Sequence, residues 1–66
     1  MVMGLVISRN GAARWNGDRI GFVARDDDDD WWFKASPAFG LSDARATTRR
    51  KLAALVTKQC IEKLDG

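Results

Sequence analysis

Within residues 19–35, two runs on either side of the aspartates alternate in side-chain face with a period of two, which is the pattern of β-strands. In the first part of this stretch, Ile20 and Phe22 share one face. In the second part, Trp31 and Phe33 share one face of the strand, and Trp32 between them points to the opposite face. The pattern therefore predicts two strands, at residues 19–26 and 30–35, that meet at the acidic segment between them.

That segment consists of five consecutive aspartates: Asp26, Asp27, Asp28, Asp29 and Asp30. Aspartate is disfavoured in strands and is common in turns, so the run predicts the tip of a β-hairpin. Like charges in a row repel one another, and we expect this repulsion to keep the tip open and solvated.

Upstream, Gly4 to Arg9 is rich in β-branched residues and predicts a first strand. Asn10-Gly11 and Asn16-Gly17 follow it, and Asn-Gly is a strong turn signal. Residues 10–18 could form one irregular connection, or Ala12 to Trp15 could be a short strand between two tight turns. We favour the single connection, with Trp15 folded over an edge of the sheet.

Downstream, Pro37 and Gly40 end the strand pattern, and Phe39 is expected to close one end of the core. Ser42 is a suitable N-cap, and no Gly or Pro interrupts Ala44 to about Leu64, which predicts a helix. Apolar residues recur at helical spacing and define one stripe: Leu52, Leu55, Val56, Cys60 and Leu64.

These elements predict a single α+β domain over residues 1–66: a three-stranded antiparallel β-meander with one C-terminal helix packed on one face, in the order β-β-β-α. Adjacent tryptophans on a strand point to opposite faces, so one of the pair must face outward. Trp31 shares a face with Phe33 and is expected inside, opposite the helix. Trp32 shares a face with Lys34 and is expected on the open side, together with Arg19, Val23 and Arg25.

The chemistry of the chain argues against catalysis. It has no histidine and one cysteine, so it lacks the usual general base and cannot form a cysteine zinc site. Contiguous aspartates do not reproduce the spaced ligands of a calcium loop, and no phosphate-binding glycine motif occurs. We therefore expect no enzyme activity, cofactor or metal. The single cysteine favours a reducing cytoplasm, and the apolar run Met1 to Ile7 is too short to span a membrane.

Charge is divided along the chain, although the net charge is only +2. The acidic tip beside Trp31 and Trp32 is an anionic surface with an aromatic anchor, and it approximates the charge density of a nucleic-acid backbone. This favours a non-enzymatic protein-binding module whose target is a basic, nucleic-acid-binding surface, in a protein or a nucleoprotein complex. In size, acidic run and lack of catalytic groups, the chain resembles small phage-encoded inhibitors of the anti-CRISPR type.

A second hypothesis is a small DNA-binding module. The β-β-β-α order, with basic residues and a tryptophan on the open face, resembles the AP2 domain and the arm-binding domain of tyrosine recombinases. That resemblance implies a sheet that enters the major groove through Arg19, Arg25, Trp32 and Lys34. The basic triplet Arg49, Arg50 and Lys51 would add phosphate contacts. The acidic run departs from those families, because it would repel phosphates near the tip.

A third hypothesis is a homodimer in which the acidic tip of one copy meets the basic helix of the other. Because the acidic tip would repel phosphates, protein binding is preferred narrowly over DNA binding. Weak, non-specific binding to nucleic acid is expected in addition, through the basic triplet of the helix.

Overall fold

The computed structural model describes residues 4–64 and shows an α+β domain. Five short antiparallel strands follow one another along the chain, and each pairs with the next: β1 (Leu5–Ile7), β2 (Ala12–Trp15), β3 (Asp18–Arg25), β4 (Trp31–Ala35) and β5 (Ala44–Ala46). A single turn of 3-10 helix (Pro37–Phe39) follows β4, and α1 (Arg49–Leu64) follows β5. The class and the C-terminal helix are as predicted, whereas the predicted number of strands is wrong.

The first additional strand comes from the region between the two Asn-Gly pairs. Ala12–Trp15 pairs with β1 on one side and with β3 on the other, so the favoured single connection is wrong. Asn16 and Gly17 both have positive φ, 52° and 92°, as a tight two-residue hairpin turn requires. Trp15 is therefore a buried core residue of an inner strand, and it does not cover an edge.

The second additional strand lies where the helix was expected to begin. Ala44–Ala46 pairs with β4, and α1 starts at Arg49. The hydroxyl oxygen of Thr48 accepts a hydrogen bond from the backbone N–H of Lys51 at 3.1 Å, so Thr48 is the N-cap in place of the predicted Ser42. Ser42 is tied to α1 in another way, since its N–H and C=O both bond to the side chain of Gln59.

The core lies between the sheet and α1. The helix contributes Leu52, Val56 and Cys60, which are fully buried and recur at intervals of four residues. The sheet contributes Ala13, Trp15, Ile20, Val23 and Phe33. Leu55, which was also predicted to be in the core, is 45% exposed, so that prediction is wrong. Phe39 packs against the core from the short helix, as expected.

A β-bulge in β3 decides which residues face the helix. Gly21 pairs with Ala13 and Arg19 pairs with Arg14, so Ile20 is an extra residue between two paired positions. The bulge lets Ile20 turn into the core, where it is fully buried, and it reverses the alternation that follows. Val23 is consequently inside and Phe22 outside, the reverse of the predicted assignment.

Gly21 is required at this position by close approach of β4. A Cβ atom on Gly21 would lie 2.3 Å from the carbonyl oxygen of Lys34 and 2.8 Å from the ring of Phe33. A side chain here would push the two strands apart, so the glycine allows the ring of Phe33 to pack directly against the backbone of β3.

Candidate nucleic-acid interface

The acidic tip between β3 and β4 is a folded turn. One carboxylate oxygen of Asp26 accepts hydrogen bonds from the backbone N–H groups of Asp28 and Asp30, at 2.9 and 3.1 Å. The backbone N–H of Asp26 donates to the carbonyl of Asp30 at 2.9 Å, and Asp29 takes a positive φ of 64°. Aspartate side chains commonly stabilise turns in this way. The expectation of a tip held open by repulsion therefore does not match the geometry.

Arginines neutralise part of the charge at this tip. Arg45 of β5 pairs with Asp26, and its Nε lies 3.4 Å from a carboxylate oxygen of Asp30. The guanidinium of Arg25 lies 3.4 Å from a carboxylate oxygen of Asp29, and both side chains are exposed. Among residues 4–64, Asp27 and Asp28 are the two aspartates of the run whose carboxylates form no ion pair, and both are exposed.

The two tryptophans separate as predicted. Trp31 packs against the core, and the guanidinium of Arg25 lies 5.7 Å from the centre of its ring. Trp32 lies on the other face, where its ring meets Phe22 edge to face with a centroid distance of 5.4 Å and an interplanar angle of 68°. The arginine–aromatic contact of this hairpin is therefore at Trp31, on the helix side of the sheet.

The face of the sheet opposite α1, called the open face below, combines aromatic and basic side chains. Residues paired across neighbouring strands share a face, so the strand register identifies its members. They form three rows across the sheet: Val6, Arg14 and Arg19; Ala12, Phe22 and Lys34; Ala24, Trp32 and Arg45. All four basic members are exposed.

Two of these arginines lie directly opposite each other. Arg14 of β2 is the register partner of Arg19 of β3. Like charges in directly opposite positions destabilise a sheet. Among the described residues, no carboxylate forms an ion pair with either arginine. The pair therefore forms an uncompensated positive site at one end of the open face.

Lys34 and Arg45 have acidic neighbours. The Nζ of Lys34 lies 3.4 Å from Asp43, whose other carboxylate oxygen accepts the backbone N–H of Ala35 at 2.8 Å. The hydrogen bond from Ala35 lowers the pKa of Asp43, and the charge of Lys34 lowers the pKa further. Asp43 thus connects β4 to the segment before β5, and its role is structural.

The structure does not bring all predicted nucleic-acid-binding residues together. Arg19, Trp32 and Lys34 lie on the open face. The register places Arg25 with Trp31 on the face towards α1. Arg49, Arg50 and Lys51 are exposed in the first turn of α1, also on the opposite side of the sheet. The prediction that Arg25 lies on the open face beside Trp32 is therefore wrong.

Three members of the open face were missed by the sequence analysis: Arg14, Phe22 and Arg45. Arg14 lies in the strand that was taken for a loop, and the paired Asn-Gly signals were the evidence that pointed to it. Phe22 was assigned to the core because nothing in the alternation of β3 shows the bulge. Arg45 lies in the alanine-rich segment that was assigned to the helix.

Several other kinds of site find no support in the part of the chain that the structure describes. No group of three or more acidic, histidine or cysteine side chains is arranged to hold a metal ion, although the tip has the necessary charge. Within residues 4–64, no helix has the length and apolar character needed to cross a membrane. Residues 1–3 of the predicted apolar run lie outside the described residues.

Comparison of the chain with protein-family models, curated proteins and solved structures finds no match.

Proposed function

We propose that the protein binds single-stranded nucleic acid on the open face. The observation that carries this proposal is the combination of the Phe22–Trp32 ring pair, in which Phe22 is exposed and Trp32 is half-buried, with the opposed arginines Arg14 and Arg19 on one uncovered sheet face. Sheets that bind single strands combine stacking rings with a positively charged surface along the backbone.

The arrangement of the rings supports base stacking. Because Phe22 and Trp32 meet edge to face at 68°, only the edge of one ring lies against the other, and the two rings do not stack on each other face to face. Phe22 is 40% exposed, which is a large fraction for an aromatic residue of an inner strand. Stacking of a base on an aromatic ring contributes about 1–3 kcal/mol and tolerates any base.

The arginine pair supplies the electrostatic part of the interaction. A phosphate between Arg14 and Arg19 would relieve the repulsion between their charges, so binding gains more there than at an isolated arginine. Arg45 is largely neutralised by Asp26 and Asp30, and Lys34 has Asp43 beside it. The opposed pair is therefore expected to contribute most of the salt dependence.

The width of the sheet favours a single strand over a duplex. Strands spaced by about 4.8 Å place the outer strands of a five-stranded sheet roughly 19 Å apart. The major groove of B-DNA is about 12 Å wide. A sheet of this width does not enter the groove as the sheets of AP2-like domains do, but it can support an extended single strand across its surface.

The test is a binding titration with labelled oligothymidylate and oligouridylate of about twelve nucleotides, and with a duplex of the same length. We expect the single strands to bind more tightly than the duplex. Trp32→Ala should weaken binding by about 5- to 150-fold, which corresponds to the loss of one stacked base.

Replacing Arg14 and Arg19 together by alanine should reduce the slope of log affinity against log salt by about 1.4, since each phosphate contact to a single strand contributes about 0.7. Lys58→Ala, an exposed lysine of α1, is the matched control and should leave the single-strand titration unchanged. Equal affinity for duplex and single strand, or an unchanged slope in the double variant, would overturn the proposal.

A second candidate function is protein binding through the acidic tip, in the manner of a small inhibitor that occupies a basic, nucleic-acid-binding surface. The observation in its favour is that Asp27 and Asp28 are exposed and form no ion pair among the described residues. Both side chains project from a turn that Asp26 already holds in shape, so little ordering is needed on binding.

A titration with a short oligolysine peptide tests this candidate. The amide resonances of the tip should shift, and the response should disappear when Asp27 and Asp28 are both replaced by asparagine. Shifts that persist in this variant would place the binding elsewhere. The same variant also tests the homodimer hypothesis, because a dimer held by the tip would dissociate in sedimentation experiments.

The proposed binding role includes no catalytic step. We also propose a reducing cytoplasm as the location, because a domain this small with one buried cysteine has no internal disulfide to stabilise it. Retention of the folded state in the presence of a strong thiol reductant is the expected result.

A further inference from the structure

The outer edge of β1 carries backbone groups that no other strand pairs with in the described part of the chain. β1 is the first strand of the sheet, and β2 pairs with it on one side only. Unpaired edges of this kind accept an additional strand from another chain.

The hydrogen bonds at both ends of β1 show which groups face outward. The carbonyl of Gly4 accepts from Asn16, and the N–H of Ser8 donates to the carbonyl of Ala12. In an antiparallel pair, alternate residues bond to the same neighbour, so Gly4, Val6 and Ser8 face β2. The backbone N–H and C=O groups of Leu5 and Ile7 consequently point away from the sheet.

The side chain of Arg49 agrees with this orientation. Its guanidinium donates to the carbonyl oxygen of Ile7 at 3.0 Å, and it reaches this oxygen from the outer side of the strand. The N–H and C=O of Leu5 and the N–H of Ile7 remain for a further strand.

A groove runs between this edge and α1. It has a volume of about 470 Å³ and is lined by Leu5, Ile7, Arg49, Arg50, Ala53 and Thr57. Its floor is apolar and one end is strongly basic. Alternate side chains of a strand added to β1 would enter this groove, and the others would lie on the open face beside Val6 and Arg14.

The charges around the groove select the occupant. Arg49, Arg50 and Lys51 lie in the first helical turn, where the helix dipole is positive and cations are unfavourable. Within residues 4–64, no acidic side chain lines the groove. An acidic chain would relieve this repulsion, whereas a second copy of β1 would bring further arginines to the same interface.

We propose that the edge of β1 binds an extended acidic peptide segment of a partner protein, which adds a sixth strand to the sheet, points its acidic side chains into the groove towards Arg49 and Arg50, and leaves its apolar side chains beside Val6 on the open face. This site lies on the helix side of the sheet edge, and the proposal is independent of nucleic-acid binding on the open face. The protein would thereby join a single strand on one surface to an acidic protein segment on another.

The probe is an acetylated, amidated peptide of alternating glutamate and valine, titrated into the isotope-labelled protein and followed by amide chemical shifts. Shifts should concentrate at Leu5, Val6 and Ile7 and along the groove at Ala53 and Thr57. The corresponding lysine–valine peptide should bind at least about tenfold more weakly. Arg50→Glu should reverse the preference between the two peptides.

N-methylated peptides test the strand pairing itself. One isomer carries methyl groups on the valine nitrogens and the other on the glutamate nitrogens. Only one of these sets faces β1 in any one register, so one isomer should lose at least about tenfold in affinity and the other should bind nearly like the parent peptide. Equal binding of both isomers would exclude backbone pairing and overturn the proposal.

Two further outcomes would also overturn it. The first is shifts confined to the open face or to the acidic tip. The second is self-association of the protein in sedimentation experiments that Arg50→Glu abolishes, since this would identify a second copy as the occupant of the edge. Arg19→Ala, on β3 and two strands from this edge, is the matched control, and its peptide binding should fall much less than its binding to oligothymidylate.

Discussion

On the helix-covered face of the sheet, Phe33 of β4 is fully buried, whereas on the open face Phe22 of the neighbouring strand keeps 40% of its surface exposed. The two residues belong to strands that pair with each other, and they differ in position by a single step of the alternation. The helix covers the first face with Leu52, Val56 and Cys60, and no described element covers the second.

The aromatic residues of this small domain are thus divided between the core and a face of the sheet that no described element covers. Phe33 has a packing role, and Gly21 of the neighbouring strand lets its ring approach the backbone of β3. Phe22 and Trp32 support each other edge to face on the open face, among exposed basic side chains. Exposed aromatic residues surrounded by basic groups are typical of interaction surfaces.

The largest expected difference comes from replacing a phenylalanine on each face of the sheet by alanine and comparing the loss of stability. Phe33→Ala should destabilise the protein by about 3–5 kcal/mol, because it removes a buried ring and leaves a cavity. A loss of this size is comparable to the whole stability of a domain this small. Phe22→Ala should cost about 1 kcal/mol or less in urea unfolding. Equal losses for the two variants would mean that the open face is covered in solution.

A smaller effect is expected from the corresponding pair on the helix. Leu52 is fully buried and Leu55 is 45% exposed. Leu52→Ala should therefore cost about 2–5 kcal/mol in the free energy of unfolding, whereas Leu55→Ala should change it by no more than about 0.5 kcal/mol. Thermal and urea unfolding measured by circular dichroism would show the difference. A large loss at Leu55 would require a different orientation of α1 on the sheet.

The acidic tip offers a comparison between neighbouring aspartates. Asp26 holds the turn and pairs with Arg45, whereas Asp27 is exposed and unpaired among the described residues. Asp26→Ala should cost about 1–2 kcal/mol, and Asp27→Ala should change stability by at most about 0.5 kcal/mol. Because Asp26→Ala also releases Arg45 on the open face, it should strengthen binding to oligothymidylate more than Asp27→Ala does. The opposite order would remove Arg45 from the proposed interface.

The smallest expected effect is the pH dependence contributed by Asp43. The pKa of this carboxyl lies below its ordinary value of 3.8, because the N–H of Ala35 and the charge of Lys34 favour the ionised form. Its contribution to stability is therefore present above about pH 3.8 and is lost as the pH falls through the lower, folded-state pKa. Asp43→Asn should flatten the stability profile below about pH 3.8. A profile identical to that of the parent would assign the acid sensitivity to other carboxyl groups.

The local signals in the sequence predicted several elements that the structure confirms. The alternation of Trp31 and Phe33 predicted β4 and the outward position of Trp32. The run of aspartates predicted the turn between β3 and β4, and the absence of Gly and Pro predicted the C-terminal helix. Each of these depends on neighbours in the chain, so pattern and propensity are sufficient.

The start of the helix was misjudged because Ala44, Arg45 and Ala46 are good helix formers by intrinsic propensity. In the fold they pair with Phe33, Trp32 and Trp31 and complete the sheet. Pairing with β4 brings Arg45 to the acidic tip, where it bonds to Asp26. These interactions join residues far apart in the chain, and they outweigh a difference in propensity of a few tenths of a kcal/mol per residue.

The sequence by itself determined the class of the protein, the turn at the aspartates and the separation of the two tryptophans, because alternation and turn chemistry act over a few residues. Only the tertiary structure decided which residues form the open face. The bulge at Ile20 arises from the register between β2 and β3, and it turns Ile20 and Val23 inward and Phe22 outward. A shift of one residue exchanges the two faces of a strand. The local pattern does not predict this shift, because the register is set by packing against the helix and by pairing with both neighbouring strands.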